Sequence, residues 1–259
     1  MSPGQPPVAA LFGSVAASYA RHRPTYPRAF FEAFVQRLPA RPVVWDCGCG
    51  SGQASLALAG FGVQVLATDA SAEQLAAAPA HPLVHYTQAP AEASGLAENS
   101  VDGVLVAAAV HWFAGEAFDA ELRRVCRPGA VMAWIGYLPL VLELAPLQQA
   151  VQRFYAYTLA PWWPPQRELV ERSYAGLVFP GEEWPFPQGL EICRCWTLIE
   201  LLGYLGSWSA VAAAQAAAAD PLPAFGAELA ELWPGGGSTP VGVRWPFMGR
   251  WGQVQARPR

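Results

Sequence analysis

VVWDCGCGSG, residues 43–52, is the stretch on which the reading of this chain turns. An apolar run closes on an acid, Asp46, and Gly48, Gly50 and Gly52 follow at alternate positions. Glycine has no Cβ to clash and tolerates positive φ, so such a turn lets backbone approach a ligand closely. Seventeen residues after Gly52, a second apolar run, VQVLAT at 63–68, ends on Asp69. Strand, glycine turn, helix, strand and acid is the order that holds an adenosine-containing cofactor.

The dinucleotide fingerprint places glycines at its first, third and sixth positions. Counted from Gly48 the third is Gly50, but the sixth is Gln53 and Gly52 fills the fifth. The acid ahead of the turn also disfavours a pyrophosphate, because an anion at a helix N-terminus gains nothing from a neighbouring carboxylate. A ligand carrying an ammonium or sulfonium group does gain from it. A phosphate loop is excluded, since no Gly-Lys-Ser/Thr occurs.

Composition narrows the frame further. With 53% apolar and 14% charged residues, the chain can bury a large core and is not disordered. At 259 residues it suits one α/β domain with insertions. All sixteen basic residues are arginine, which rules out a lysine nucleophile or Schiff base. A net charge of −4 with no arginine stripe argues against nucleic acid as a partner. The longest apolar run, 130–142, is too short to cross a bilayer, and the N-terminus lacks the pattern of a secretory signal. A cytoplasmic protein without a membrane partner, monomer or homodimer, is expected.

Along the chain, residues 43–46, 63–68, 83–87, 101–108 and 130–137 read as apolar strands separated by short helices, the pattern of a parallel sheet covered on both faces. A short helix is expected at 12–20 and another from Pro27 to about Leu38. Residues 138–189 are rich in proline and aromatics, 190–197 resume the sheet, 198–219 and 222–233 are helical, and 241–247 form a last strand. The organisation is one domain: a segment covering the cofactor (1–42), the cofactor-binding core (43–137), an insert or lid (138–189) and C-terminal strands and helices (190–259).

The acid–G-x-G-x-G turn with Asp69 downstream resembles the class I S-adenosylmethionine-dependent methyltransferases. The match continues through AEASGLAENSVDGVLVAAAVHWF (91–113) and RRVCRPGAVMAW (123–134). FGSVAASYARHRPTYP (12–27), LLGYLGSWSAV and VRWPF resemble a subgroup containing trans-aconitate methyltransferase-like proteins. The resemblance implies a Rossmann-like α/β fold with a seven-stranded, mostly parallel sheet. It implies S-adenosylmethionine as cofactor, S-adenosylhomocysteine as product, and direct in-line methyl transfer to a small molecule with a carboxylate or other O or N nucleophile. A nicotinamide-dependent oxidoreductase and a non-catalytic S-adenosylmethionine-binding protein are the alternatives.

The resemblance places the cofactor on Asp46, Gly48, Gly50 and Gly52, with Asp69 on the ribose hydroxyls. Relatives often carry an acid just before the A-E pair to bond adenine; Pro90 stands there, so backbone around Ala91 and apolar contact from Ala70 or Val110 take over. Glu92 joins this loop. Tyr19, Arg21, Arg23 and Tyr26 form an arm, in which Tyr19 and Arg23 suit the cofactor's carboxylate because a guanidinium fork bonds both oxygens. His111, at the carboxyl edge of the fourth strand, is the candidate base. A carboxylate acceptor needs none, whereas a phenol or amine does. Tyr26, Trp112, Tyr137, Trp162 and Trp163 are candidate walls of the acceptor pocket, and the arginine-poor insert leans toward an apolar acceptor. Cys47/Cys49 and Cys193/Cys195 are spaced too closely for a usual zinc site, so no metal is expected.

Overall fold

Aliphatic runs buried on both faces form the centre of the sheet. The computed structural model describes residues 23–255. The expected helix at 12–20 lies outside them. Strands β1 (Val43–Cys47), β2 (Gln64–Asp69), β3 (Val84–Gln88), β4 (Val101–Ala107) and β5 (Cys126–Tyr137) are all parallel, in the order β3-β2-β1-β4-β5. β1 and β4, at the centre, are apolar without alternation because helices cover both their faces. The strand order reverses between β1 and β4, which opens a crevice at their carboxyl ends.

Helices α1 (Arg28–Val35), α2 (Gln53–Ala59), α3 (Ala72–Ala76) and α4 (Glu116–Val125) flank these strands. On one face Phe30, Phe31 and Phe34 of α1 pack with Val44, Leu58, Val65 and Leu105. On the other, Phe118, Leu122 and Val125 of α4 pack on Trp45, Val104 and Trp134. Each such side chain, fully buried, stabilises the fold by roughly 2–3 kcal/mol. Trp45 is fully buried yet satisfied, since its indole N–H donates to Thr68 Oγ1 at 2.8 Å.

Beyond β5 the sheet turns antiparallel and exceeds the seven strands expected, with nine among the described residues. The short pairs β6 (Val141–Leu142) and β7 (Gly181–Trp184), hidden in the proline-rich insert, join β8 (Glu191–Trp196) on β9 (Val241–Val254). β9 runs seven residues past its expected end at 247 and pairs with β5 over Phe247–Gln253. The insert also holds α5 (Ala145–Arg153), a π-helical turn at Phe154–Thr158 and α6 (Arg167–Glu171).

The helix expected at 198–219 is two, α7 (Leu198–Gly206) and α8 (Ser209–Ala216), broken where the Ser207 hydroxyl donates to the Tyr204 carbonyl at 2.6 Å. A third, α9 (Leu222–Leu232), completes a lid with a core of its own around Leu147, Phe154, Leu205, Phe225 and Trp245. No helix among the described residues is long and apolar enough to cross a membrane.

Glu121 on α4 fixes the loop that borders the crevice. Its Oε1 accepts from the Ser94 N–H at 2.9 Å and the Ser94 hydroxyl at 2.5 Å, and Arg124 donates to both oxygens at 2.7 Å. Hydrogen bonds from Arg124, then from Ser94, hold its carboxyl down to about 2 against the usual 4.5. A depressed carboxylate stabilises the fold above its unfolded pKa, and that contribution is lost as pH falls from 4.5 through about 2. Glu121→Ala leaves the buried Ser94 N–H without its acceptor and is expected to lower stability by about 1–3 kcal/mol at pH 7. Calorimetry checks this, and an unchanged Tm refutes it.

Candidate functional site

The crevice between β1 and β4 is floored by the glycine turn. Gly48 and Cys49 both donate backbone N–H to the Thr68 carbonyl, at 2.8 and 3.0 Å, which pins the turn to the end of β2. Gly48 has φ +69°, and a Cβ there would lie 2.8 Å from the Ala109 Cβ. Only glycine lets the turn sit against the segment that follows β4. Gly52, at φ +83°, caps α2, and a Cβ there would collide with the Tyr86 hydroxyl. Thus Gly48 and Gly50 line the cavity, while Gly52 makes room for a side chain of β3. Tyr86 was not expected here, because one aromatic residue in an edge strand carries no sequence signal of its contact.

Asp69 joins the two strand ends. Its Oδ2 accepts from the Gly50 N–H at 2.8 Å and its Oδ1 from the Ser71 N–H at 2.9 Å. Burial raises its pKa, opposed by these backbone bonds. An ionised carboxylate has about four lone-pair sites, so two remain for ligand hydroxyls. Asp69 lines a cavity of about 260 Å³ together with Tyr26, Ala70, Ala91, Glu92, Trp112 and Phe113. Among the described residues no arginine lines it, whereas two acids do, so it suits a cationic ligand better than a pyrophosphate.

Asp46 is placed differently from the sequence expectation. It is fully buried behind the turn and does not line the cavity. Its Oδ2 accepts from the Ser55 hydroxyl at 2.5 Å, and among the described residues its Oδ1 has no side-chain partner. Burial pushes its pKa up to about 7, helped by the nearby Asp69 and opposed by Ser55. The negative charge facing the cavity therefore comes from Asp69 and Glu92. Val110, expected beside adenine, is also fully buried, because the 3₁₀ turn Val110–Trp112 aims it into the core beneath Phe118. Phe113, three residues on, faces the cavity in its place.

A second cavity, about 80 Å³, shares Ala108 and Trp112 with the first. Its walls include His111, Tyr137, Trp163, Tyr174, Tyr204 and Trp208, with two arginines, Arg23 and Arg167, and no carboxylate. Arg23 was expected on the cofactor; the structure sets it here instead. Its Nη1 donates to Tyr137 Oη at 2.7 Å and its Nη2 to the Ser207 carbonyl at 3.0 Å, the carbonyl exposed by the α7–α8 break. Tyr26 moves the other way, lining the larger cavity and packing on Tyr137 with ring centroids 6.2 Å apart. Trp112 and Phe113 border the larger cavity, and Trp112 the smaller one too. Trp162 packs against the lid core and lines neither. Tyr19 lies outside the described residues.

His111 borders the smaller cavity beside the shared wall. Its Nδ1 is sealed from solvent and makes no hydrogen bond among the described residues. Burial, then the charges of Arg167 and Arg23, push its pKa down to about 3. The imidazole is neutral at pH 7 and weakly basic. Arg167 is the residue sequence reasoning missed: it is one of three arginines in the insert, and nothing local distinguishes it from Arg153 and Arg172. The arginine-poor insert thus delivers a guanidinium to the cavity, against the expected apolar lining. Among the described residues no group of three His, Cys, Asp or Glu side chains is placed to hold a metal.

A family model described as a methyltransferase domain matches residues 45–134, the span that forms both the turn and the shared wall. A solved structure from Anaeromyxobacter dehalogenans, named provisionally as a type II methyltransferase, is 44% identical over 91% of this chain and 99% of its own, with a TM-score of 0.79. A provisionally named methyltransferase of Dictyostelium discoideum is 29% identical over 78% of each chain. A malonyl-[acyl-carrier protein] O-methyltransferase of Enterobacter lignolyticus is 41% identical over 49% of this chain, which spans 52% of that protein.

Burying Asp46 has a cost that depends on pH. Its folded pKa lies above the unfolded value of 3.8, so its contribution is present below 3.8 and is lost as pH rises through about 7. Asp46→Asn removes the charge. Its stability relative to the parent is expected to increase between about pH 4 and pH 7, by on the order of 4 kcal/mol, and then level off. Calorimetric unfolding without ligand at pH 4, 5.5, 7 and 8 measures this, and a difference that does not vary with pH contradicts it.

Proposed function

This chain belongs to the class I S-adenosylmethionine-dependent methyltransferases, and from that premise we propose that it methylates an oxygen of a small carboxylic acid seated in the smaller cavity. The observation that carries the proposal is a pair of guanidiniums, Arg23 and Arg167, lining that cavity with no carboxylate among its walls. The Arg167 fork can bond a carboxylate through both oxygens, in charge-assisted bonds about twice as strong as neutral ones. Arg23, whose terminal nitrogens hold Tyr137 and Ser207, adds positive charge. The resemblance to the trans-aconitate methyltransferase-like subgroup favours the same acceptor. So does the similarity to an enzyme named as an O-methyltransferase.

In this reading the larger cavity takes the cofactor. Asp69 offers its free lone pairs to the ribose hydroxyls, Gly48 and Gly50 bring backbone close, and Ala91 with Phe113 and Glu92 border the adenine end. Tyr26 covers the cavity from the N-terminal strap. When bound, S-adenosylmethionine supplies an electrophilic methyl group already activated by its sulfonium.

The protein then contributes alignment and exclusion of water. Trp112 and Ala108, common to both cavities, form the wall past which donor and acceptor meet. Trp163, Tyr204 and Trp208 close the acceptor side. A carboxylate is already ionised at pH 7, so no proton need be removed. His111, with its pKa near 3, fits that requirement: it stays neutral and adds no charge to compete with the arginines.

Two measurements test this. Purified protein incubated with methyl-labelled S-adenosylmethionine and matched panels of small carboxylic acids, phenols and amines is expected to yield labelled methyl esters. Labelled ethers or N-methyl products alone would overturn the carboxylate assignment. Asp69→Ala is expected to weaken S-adenosylhomocysteine binding by about tenfold or more, from the loss of hydrogen bonds to the ribose and a loosened turn. Unchanged affinity in a calorimetric titration would remove the cofactor from this cavity.

A further inference from the structure

Arg167 sits in a setting that no surface ion pair requires. It opens α6, and its Nε donates to Tyr155 Oη at 2.6 Å. The Tyr155 hydroxyl in turn bonds the Glu171 carboxylate. The Arg167 guanidinium carbon lies 5.1 Å from the Trp163 ring centroid and 5.3 Å from that of Tyr155. Tyr155 is itself held edge-on to Trp208, at 5.6 Å and 89°, from the π-helical turn Phe154–Thr158. A widened turn of this kind is common where a helix is adapted to a site.

This frame leaves most of the guanidinium's donors available. Arg167 bonds Tyr155 through Nε, and Glu171 lies 3.6 Å from the same atom. Among the described residues no acceptor takes Nη1 or Nη2. A guanidinium has five N–H groups, so four remain, including the terminal pair that forms a fork. The side chain lines the smaller cavity and is 23% exposed, against 42% for Glu171. An ordinary i,i+4 pair with Glu171 would be worth a few tenths of a kcal/mol and would not need two aromatic rings against the guanidinium. Arg23 differs, because both its terminal nitrogens already brace Tyr137 and Ser207.

Resting on the smaller cavity being the acceptor site, we propose that Arg167 is the specificity-determining residue that admits acids there, with Tyr155 as its positioning residue. The acceptor is then a carboxylate with an apolar body, aromatic or conjugated, lying against the tilted indoles of Trp163 and Trp208, whose ring centroids are 5.6 Å apart, with its charged end on Arg167. Acceptor choice belongs to the insert and not to the sheet. A relative with a different residue at this position and the same glycine turn would bind the same cofactor and accept a different class of acceptor.

The test uses benzoate and benzamide, flat probes of nearly equal shape that differ in charge. The protein saturated with S-adenosylhomocysteine is titrated with each, following the fluorescence of the cavity tryptophans. Benzoate is expected to bind about tenfold or more tighter than benzamide. Arg167→Gln should remove that preference while leaving S-adenosylhomocysteine affinity within about twofold, and Arg167→Lys should keep part of it. Tyr155→Phe keeps the ring and loses the bond to Nε, so it should lower the benzoate-to-benzamide ratio several-fold. A ratio that Arg167→Gln leaves intact, or no preference in the parent protein, overturns the proposal. If Arg167→Gln abolishes the preference and the parent esterifies no acid, the anion site stands and the methylation reading fails. If acids are esterified and the ratio ignores Arg167, the reverse holds.

Discussion

The pair of hydrogen bonds from the Gly50 and Ser71 backbones to the Asp69 carboxylate holds the site together. They join the glycine turn after β1 to the end of β2, and they do so inside the crevice where the strand order reverses. The turn has three consecutive alternate glycines at positive φ, a conformation with little resistance of its own to deformation. A single carboxylate therefore fixes the shape of the cavity floor and remains the charge that a ligand meets. The buried Asp46 supports the same turn from behind through Ser55, at a distance from any ligand.

The two cavities have different architectural parents. The larger is built on the parallel sheet, from loops after β1, β2, β3 and β4, so its geometry follows from strand order and glycine chemistry. The smaller is assembled from five separate stretches: the strap at Arg23, the 3₁₀ turn at His111, the end of β5 at Tyr137, the insert from Trp163 to Tyr174, and the α7–α8 corner from Tyr204 to Ser209. Arg23 ties three of them together, bonding Tyr137 and Ser207 and stacking over Tyr204 at 5.4 Å. The cavity exists only when strap, sheet and lid are docked.

That division explains what could be read from the sequence. Local signals were legible: the glycine spacing, the acid ending β2, the apolar runs of β1 and β4. Each depends on residues near one another in the chain. Charge placement across the fold was not legible. Asp46 and Val110 each sit one step from a cavity, and a strand or turn rotates such a residue into the core without altering the local pattern. Arg23 and Arg167 are 144 positions apart and converge only through the lid. β6 and β7 escaped because prolines on either side of each mask strands only two and four residues long. The break between α7 and α8 escaped because alanine-rich sequence continues past it with full helical propensity.

β9 carries a consequence for the order in which the molecule is made. One 14-residue strand pairs with β5 and β7 along its second half and with β8 and β6 along its first. It is the last strand of the described chain, and both the sheet edge beside Tyr137 and the base of the lid wait for it. On the ribosome, the five parallel strands and the glycine turn emerge complete before residue 140, while the smaller cavity, whose β5 edge and lid both rest on β9, is not braced until β9 is released. The larger and the smaller cavity are thus completed at different moments of synthesis, with the strand that closes the fold joining them.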